Sequence, residues 1–136
     1  MNIGLDIHGV IDRYPEEFAK MSHEWHKKGY VIHILTGQER ELAEPTVKEA
    51  GIHYDHFYSI VDHHKGMETP MYERTDKQGW WMDRETWLRS KGDYAKWAII
   101  NCHFDDSIEY APYFPLYCTF VKVNRFGLDL FREMMK

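Results

Sequence analysis

Several polar residues directly follow apolar runs in this sequence. Asp6 lies in the run NIGLDI, Thr36 and Gly37 follow YVIHIL, and Asp105 and Asp106 follow IINCHF. Magnesium takes one or two carboxylates from a protein and further oxygens from a phosphate group. Asp6 together with Asp105 or Asp106 therefore forms a candidate Mg²⁺ site. Beside such an ion, a carboxylate can attack phosphorus and form an aspartyl-phosphate, and Asp6 is the candidate nucleophile.

Phosphoryl chemistry also needs groups that hold the phosphate oxygens and a cation that offsets the developing charge. The Thr36 hydroxyl and the Gly37 amide are suited to hold a nonbridging oxygen. Lys91 and Lys96 are the candidate cations.

Strands and helices that alternate along the chain must position these groups. Short apolar or β-branched runs predict buried parallel strands, and they lie at residues 2–7, 30–35, 56–61, 99–104 and 117–123. Helical spacing, with Gly29 and Gly51 as stops and Pro45 as a kink, predicts helices at 15–28, 38–50, 93–98 and 128–135. The pattern predicts an α/β, Rossmann-like parallel sheet with helices on both faces. Ligands of such sheets bind beyond the carboxyl ends of the strands, where the polar residues fall.

Four segments in this order resemble the motifs of the haloacid dehalogenase (HAD) superfamily. They are DIHGVID (6–12), ILTG (34–37), Lys91 within SKGDYAKWAII, and HFDDS (103–107), and the resemblance spans residues 3 to about 123. It implies a HAD-like hydrolase in which Asp6 attacks phosphorus and ligates magnesium, with the backbone carbonyl of His8 as a further ligand. It also favours Lys91 over Lys96 as the phosphate lysine, and it assigns metal binding to Asp105 or Asp106.

The first motif departs from the family pattern at His8, where the phosphatases usually carry a second aspartate as general acid and base. An imidazole, with an ordinary pKa of about 6.5, both donates and accepts protons near neutrality. We therefore expect His8 to replace that aspartate. The alternatives are a different reaction on the same scaffold, or an impaired relative that only binds a phosphorylated ligand.

Structural roles compete with the functional ones at most of these positions. Asp6 can cap a turn, Thr36 can simply end a strand, and one acid of the 105–106 pair can cap a helix that begins near Ser107. Asp12 either positions its loop or is solvated. The histidines at 53, 56, 63 and 64 match no closed zinc spacing, which favours surface histidines. Packing is favoured over ligand stacking for Trp80, Trp81 and Trp87, and Arg74, Lys77 and Arg84 are either substrate contacts or solvated.

The bulk properties predict one domain of 136 residues. A net charge of −5 without a Lys/Arg block argues against duplex nucleic acid as a partner, and no apolar run is long enough to cross a membrane. The N-terminal residues show no secretory signal, so we expect a cytoplasmic protein. Cys102 and Cys118 are expected to be unpaired thiols.

Residues 62–90 are polar and predict a small insertion within the single domain. The resemblance implies that such an insertion selects the substrate, here a small phosphorylated metabolite such as a nucleotide or sugar phosphate. The insertion is too short for an independent cap domain. Either the site is open to large substrates or a neighbouring subunit completes it, so a homo-oligomer is a further expectation.

Overall fold

A computed structural model describes residues 1–75, 79–124 and 134. Its centre is a sheet of five parallel strands, β1 (Asn2–Leu5), β2 (Val31–Thr36), β3 (His56–Ser59), β6 (Cys102–Asp105) and β7 (Thr119–Lys122). Across the sheet the strands lie in the order β3-β2-β1-β6-β7. The predicted α/β, Rossmann-like parallel sheet is confirmed.

Helices flank the sheet and enclose a separate apolar cluster on each face. The helices are α1 (Pro15–Lys27), α2 (Arg40–Glu49), α3 (Ile60–Gly66), α4 (Arg84–Ala98) and a 3₁₀ helix (Ile108–Tyr113). Phe18 of α1 and Val47 of α2 pack with Ile34 on one face, while Ala95 of α4 packs with Leu35 on the other. Adjacent residues of β2 thus point into opposite clusters, as the pleat of a strand requires.

Several predicted boundaries are wrong. The strand predicted for 56–61 ends at Ser59, because the Ser59 hydroxyl accepts a hydrogen bond from the Asp62 amide at 3.1 Å and caps helix α3 from Ile60 onward. Helix α4 begins at Arg84 rather than at residue 93, and Asp83 caps it by accepting a hydrogen bond from the amide of Thr86 at 3.0 Å. The strand predicted from residue 99 begins at Cys102, because Ile99 adopts a left-handed φ of 55° and ends α4. The helix predicted for 128–135 lies outside the described residues apart from position 134.

The predicted insertion at 62–90 is largely built into the main fold. Its first residues belong to α3 and its last ones to α4. Between these helices, β4 (Tyr72–Glu73) and β5 (Trp80–Trp81) pair as a short antiparallel hairpin. Cys102 and Cys118 are both free thiols. Within the described ranges, no helix is both long enough and apolar enough to span a membrane.

Candidate active site at the carboxyl edge of the sheet

Lys91 joins the two predicted acids at the carboxyl ends of β1 and β6. These strands are neighbours with Leu5 beside Phe104, so the residues that follow, Asp6 and Asp105, emerge side by side. Helix α4 places the Lys91 Nζ 3.2 Å from Asp6 Oδ1 and 2.7 Å from Asp105 Oδ2. Lys91 is only 1% exposed, although lysine is rarely buried without a partner. Lys96, the other candidate, is exposed on the same helix.

The three charges perturb one another because they are buried together. Burial raises the pKa of Asp6 to about 8, with the Asp105 and Asp106 charges adding to the effect and Lys91 opposing it. Burial also acts to raise the pKa of Asp105, but Lys91 and His103 outweigh it and hold that pKa well below its usual range. For Lys91, burial is outweighed by the attraction of Asp6 and Asp105, so its pKa lies above its ordinary value. One lysine thus serves two buried carboxyl groups, and burial disfavours the ionised form of Asp6 unless a further cation is bound.

Asp106 adds a third carboxylate to this centre. One oxygen each from Asp6, Asp105 and Asp106 lie within 4.8 Å of one another. Both oxygens of Asp105 already accept hydrogen bonds, Oδ1 from the Ser107 amide at 3.0 Å and Oδ2 from Lys91. Asp106 is exposed and lines the cavity above Asp6. The donor set contains only oxygen and therefore suits magnesium, with Asp106 and Asp6 more open to an ion than Asp105.

The loop after Asp6 turns His8 toward the cavity. Gly9 has a φ of 78°, and its amide donates to Asp12 Oδ1 at 2.7 Å, so Asp12 positions this loop. His8 Nδ1 lies 3.4 Å from Asp12 Oδ2, and His8 Nε2 lies 3.3 Å from Gln38 Oε1. The imidazole is 62% exposed and lies on the cavity wall. Asp12 can orient His8 through Nδ1, while Nε2 contacts Gln38 on the cavity wall.

Thr36 and Gly37 differ in their access to the cavity. Thr36 is fully buried, and its Oγ1 has no hydrogen-bond partner among the described residues. Gly37 lines the cavity, and the Trp87 ring packs so closely on it that an added Cβ would lie 2.5 Å from the ring. The structure therefore brings Gly37 to the site and holds Thr36 one residue behind it, with an unsatisfied hydroxyl.

Aromatic side chains form much of the remaining wall of a cavity of about 640 Å³. Trp87 Nε1 donates to the Tyr110 hydroxyl at 2.8 Å, and the Lys91 Nζ lies 4.4 Å from the centre of the Tyr110 ring. Trp80 Nε1 donates to Glu39 Oε1 at 2.8 Å. Two of the three tryptophans considered in the sequence, Trp80 and Trp87, thus face the candidate site as well as packing on the fold.

Of the other side chains considered in the predicted insertion, one lines the cavity and others lie outside it. Trp81 does not line the cavity, and the guanidinium of Arg74 lies 4.5 Å from its ring centre. Arg74 itself lines the cavity. Arg84 pairs with Glu109 at 3.1 Å on the surface, and Lys77 lies outside the described residues.

His103 is a residue of the site that the sequence analysis missed. Its buried Nε2 donates to Asp105 Oδ2 at 2.9 Å, and burial keeps its pKa below the ordinary value despite Asp105. A neutral His103 therefore donates one hydrogen bond to Asp105 without adding charge. Its position two residues before Asp105 on one strand was a usable signal, because such residues share a face. Gln38 and Tyr110, in contrast, lie in loop and 3₁₀ segments that no spacing rule connects to Asp6.

No protein-family model matches this sequence, and searches of curated proteins and of solved structures also found no match. The fold and the site define an α/β protein with a buried Asp–Lys–Asp centre at the carboxyl edge of its sheet.

Proposed function

We propose that this protein is a magnesium-dependent, HAD-like phosphatase that hydrolyses phosphomonoesters through an aspartyl-phosphate on Asp6. The observation that carries the proposal is the position of Lys91, which bridges Asp6 at 3.2 Å and Asp105 at 2.7 Å beneath an open cavity. A buried lysine in this position both binds a phosphoryl group electrostatically and holds the nucleophile in place.

Asp6 is suited to be the nucleophile by the hydrogen bonds around it. Its Oδ1 accepts from the Ile7 amide at 2.9 Å and faces Lys91, whereas Oδ2 accepts no hydrogen bond among the described residues. Asp6 must react as the carboxylate, a form that a bound cation would favour by lowering its pKa. In the proposed first step, an oxygen of this carboxylate forms a bond to phosphorus while the bond from phosphorus to the leaving oxygen breaks. Lys91 offsets the charge on the phosphoryl oxygens, and the leaving oxygen takes a proton from His8 Nε2.

Release of phosphate reverses the role of His8. Neutral His8 accepts a proton from water as the water oxygen bonds to phosphorus, and the bond from Asp6 to phosphorus breaks. Asp12, 3.4 Å from His8 Nδ1, stabilises the imidazolium that forms in this step. Asp105, with His103 behind it, holds Lys91 rather than taking part in bond making.

The carboxylates of Asp6 and Asp106, and secondarily Asp105, would hold Mg²⁺, and the His8 backbone carbonyl is the further ligand that the resemblance implies. When bound, the ion neutralises charge on the phosphate and on the clustered carboxylates. The all-oxygen donor set and the raised pKa of Asp6, which a bound cation would lower, support this assignment.

The cavity favours a small phosphorylated metabolite with a planar group. Its volume of about 640 Å³ suits a metabolite rather than a macromolecule. Trp80, Trp87 and Tyr110 give it aromatic walls, and stacking on aromatic rings favours a nucleotide over a sugar phosphate.

Phosphate release from p-nitrophenyl phosphate and from a panel of nucleotides and sugar phosphates tests the proposal, with and without Mg²⁺. Wild type is expected to release phosphate only with the ion, and Asp6→Asn to be inactive. Asp93→Asn is the matched control, because Asp93 is an exposed aspartate of α4 that pairs with Arg89 at 3.6 Å. Turnover by Asp6→Asn equal to that of Asp93→Asn would remove the nucleophile from the proposal.

The position of the His8 side chain supports a second candidate function, that of a phosphate-binding module with little turnover. Its side chain is largely exposed and contacts Asp12 and Gln38 rather than the buried centre. Comparing wild type with His8→Ala separates the two functions. A fall in turnover in His8→Ala supports the enzyme, whereas magnesium-dependent phosphate binding without turnover in wild type supports the module.

Two exposed aromatic residues of the β4–β5 hairpin support the expectation that the protein self-associates. Tyr72 and Trp81 lie opposite each other in the hairpin and are 71% and 52% exposed. Contiguous exposed apolar patches mark contact surfaces, and this pair would be the centre of one. Sedimentation of wild type and of Tyr72→Ser tests this, and a concentration-dependent mass in the wild type alone is the expected result.

A further inference from the structure

The structure assigns a second cation site, for a borderline divalent transition metal with Zn²⁺ as the reference, to His26, His53 and Asp55. One ligand atom from each of these residues lies within 4.8 Å of the others. The cluster lies by Ile32 at the start of β2, and so at the edge of the sheet opposite the candidate active site. It does not rest on the proposed function.

Backbone contacts hold two of the three ligands. Asp55 Oδ2 accepts from the Ile32 amide at 2.9 Å, and the Asp55 amide donates to the Ile32 carbonyl at 2.8 Å. The amide of His53 donates to the buried Ser22 hydroxyl of α1 at 3.0 Å. These contacts fix the loop between α2 and β3 against both the sheet and α1, so little ordering remains for an ion to impose on it.

The spacing of the fixed pair matches metal ligation. Asp55 Oδ1, the oxygen not bonded to Ile32, lies 3.2 Å from His53 Nε2. Ligands about 2.0–2.1 Å from a tetrahedral zinc lie about 3.3 Å from each other. An ion can therefore replace the direct contact between Asp55 and His53 without moving either backbone.

His26 supplies the third ligand from the last turn of α1. Its ring stacks on that of His53 with centroids 3.8 Å apart and planes 30° apart. Among the described residues, the His26 imidazole makes no hydrogen bond, and the residue is exposed. Rotation of this side chain brings a ring nitrogen to a shared ion without breaking an existing bond.

The chemical type of the three ligands determines which ions this site would bind. Two imidazoles and one carboxylate suit Zn²⁺ and neighbouring transition ions, whereas Mg²⁺ prefers oxygen ligands alone. Three protein ligands leave a fourth position for water or an exogenous group. His23 stabilises the loop that carries His53 and Asp55. Its Nε2 donates to the Gly51 carbonyl at 2.9 Å and so connects α1 to this loop.

Zinc titration of tag-free apoprotein against a chromophoric chelator tests this site, and Co²⁺ spectra report the ligand geometry. Wild type and Asp106→Asn are both expected to bind one zinc ion at this site. We expect His26→Gln, His53→Gln and Asp55→Asn to weaken it by more than about 10-fold, since loss of an outer-shell partner alone costs roughly 10- to 100-fold. His56→Gln, which replaces the next exposed histidine along the chain, is the matched control and should bind as wild type does.

His26→Gln is the decisive variant because, within the described part of the chain, the His26 side chain makes no hydrogen bond and stacks on His53, so its replacement should leave the fold intact. Circular dichroism checks that each variant is folded. Wild-type affinity in a folded His26→Gln would overturn the assignment, as would zinc binding that is lost in Asp106→Asn but kept in the histidine variants. Absence of stoichiometric binding in wild type would overturn it equally.

Discussion

Replacing Lys91 by methionine tests how the buried centre is held together. Lys91 is 1% exposed and lies 2.7 Å from Asp105. At an effective dielectric constant of about 20, the attraction over this distance is about 6 kcal/mol, and desolvation of the two ions offsets part of it. Methionine fills a similar volume but leaves Asp105 buried without its cation. We expect the free energy of unfolding to fall by about 3–5 kcal/mol, the usual cost of breaking a buried pair.

Urea unfolding measures this loss, with Lys96→Met as the control. Lys96 is an exposed lysine of the same helix, and its replacement should change the unfolding free energy by no more than about 0.5 kcal/mol. The double variant Lys91→Met/Asp105→Asn should recover part of the loss, because it removes the unpaired charge. Equal stability of Lys91→Met and Lys96→Met would refute the reasoning.

Two further predictions concern backbone strain and pH. Gly9 and Gly51 have φ of 78° and 76°, but an added Cβ at Gly9 collides with the Asp106 carboxylate while one at Gly51 meets nothing. Each alanine variant should lose about 1–2 kcal/mol of unfolding free energy from backbone strain. Only Gly9→Ala should also lose magnesium-dependent phosphate release. Equal phosphate release by the two variants would contradict this prediction. Burial and the nearby His56 lower the pKa of His33 to about 4, although the charge of Asp55 acts to raise it. Below pH 6.5 the His33 imidazole is therefore protonated in the unfolded chain but stays neutral in the folded chain, so stability falls as the pH falls. Between pH 7 and pH 5 the unfolding free energy of wild type should fall by about 1–2 kcal/mol more than that of His33→Gln, as measured by urea titration.

The sheet was predictable because parallel strands buried on both faces are continuous apolar runs. The runs around Ile3, Ile32 and Phe104 therefore identified β1, β2 and β6, and their order placed the polar residues at one edge. The start of the strand after α4 was not predictable, since Ile100 is as apolar as a strand residue but packs in the connection.

The first half of α4 was missed because tertiary contacts, rather than an apolar stripe, stabilise it. Ser90, Lys91 and Gly92 are all buried there. An added Cβ at Gly92 would collide with the Tyr113 carbonyl, so glycine at this position allows the 3₁₀ helix to pack on α4. Such packing between distant segments leaves no periodic signal in the sequence.

The separate roles of Asp105 and Asp106 could be predicted only in part. Alternation along β6 places Asp105 on the face of His103 and points Asp106 elsewhere. The hydrogen bonds that occupy both oxygens of Asp105 depend on Lys91 and Ser107, which the sequence alone does not bring into contact. The orientation of His8 toward Asp12 and Gln38 depends likewise on the turn at Gly9.

The central claim is that Asp6 carries a phosphoryl group during turnover. His8→Ala removes the group proposed to activate water, so the phosphoenzyme should accumulate in this variant. The leaving group of p-nitrophenyl phosphate needs no proton from His8, so this substrate should still phosphorylate Asp6 in the variant. The direct measurement is peptide mapping by mass spectrometry after His8→Ala is mixed with p-nitrophenyl phosphate and Mg²⁺ and quenched in acid. We predict one added phosphoryl group on the peptide that contains Asp6, and none in His8→Ala/Asp6→Asn. A substrate that is turned over while the Asp6 peptide stays unmodified, or a phosphoryl group on another residue, would contradict the account.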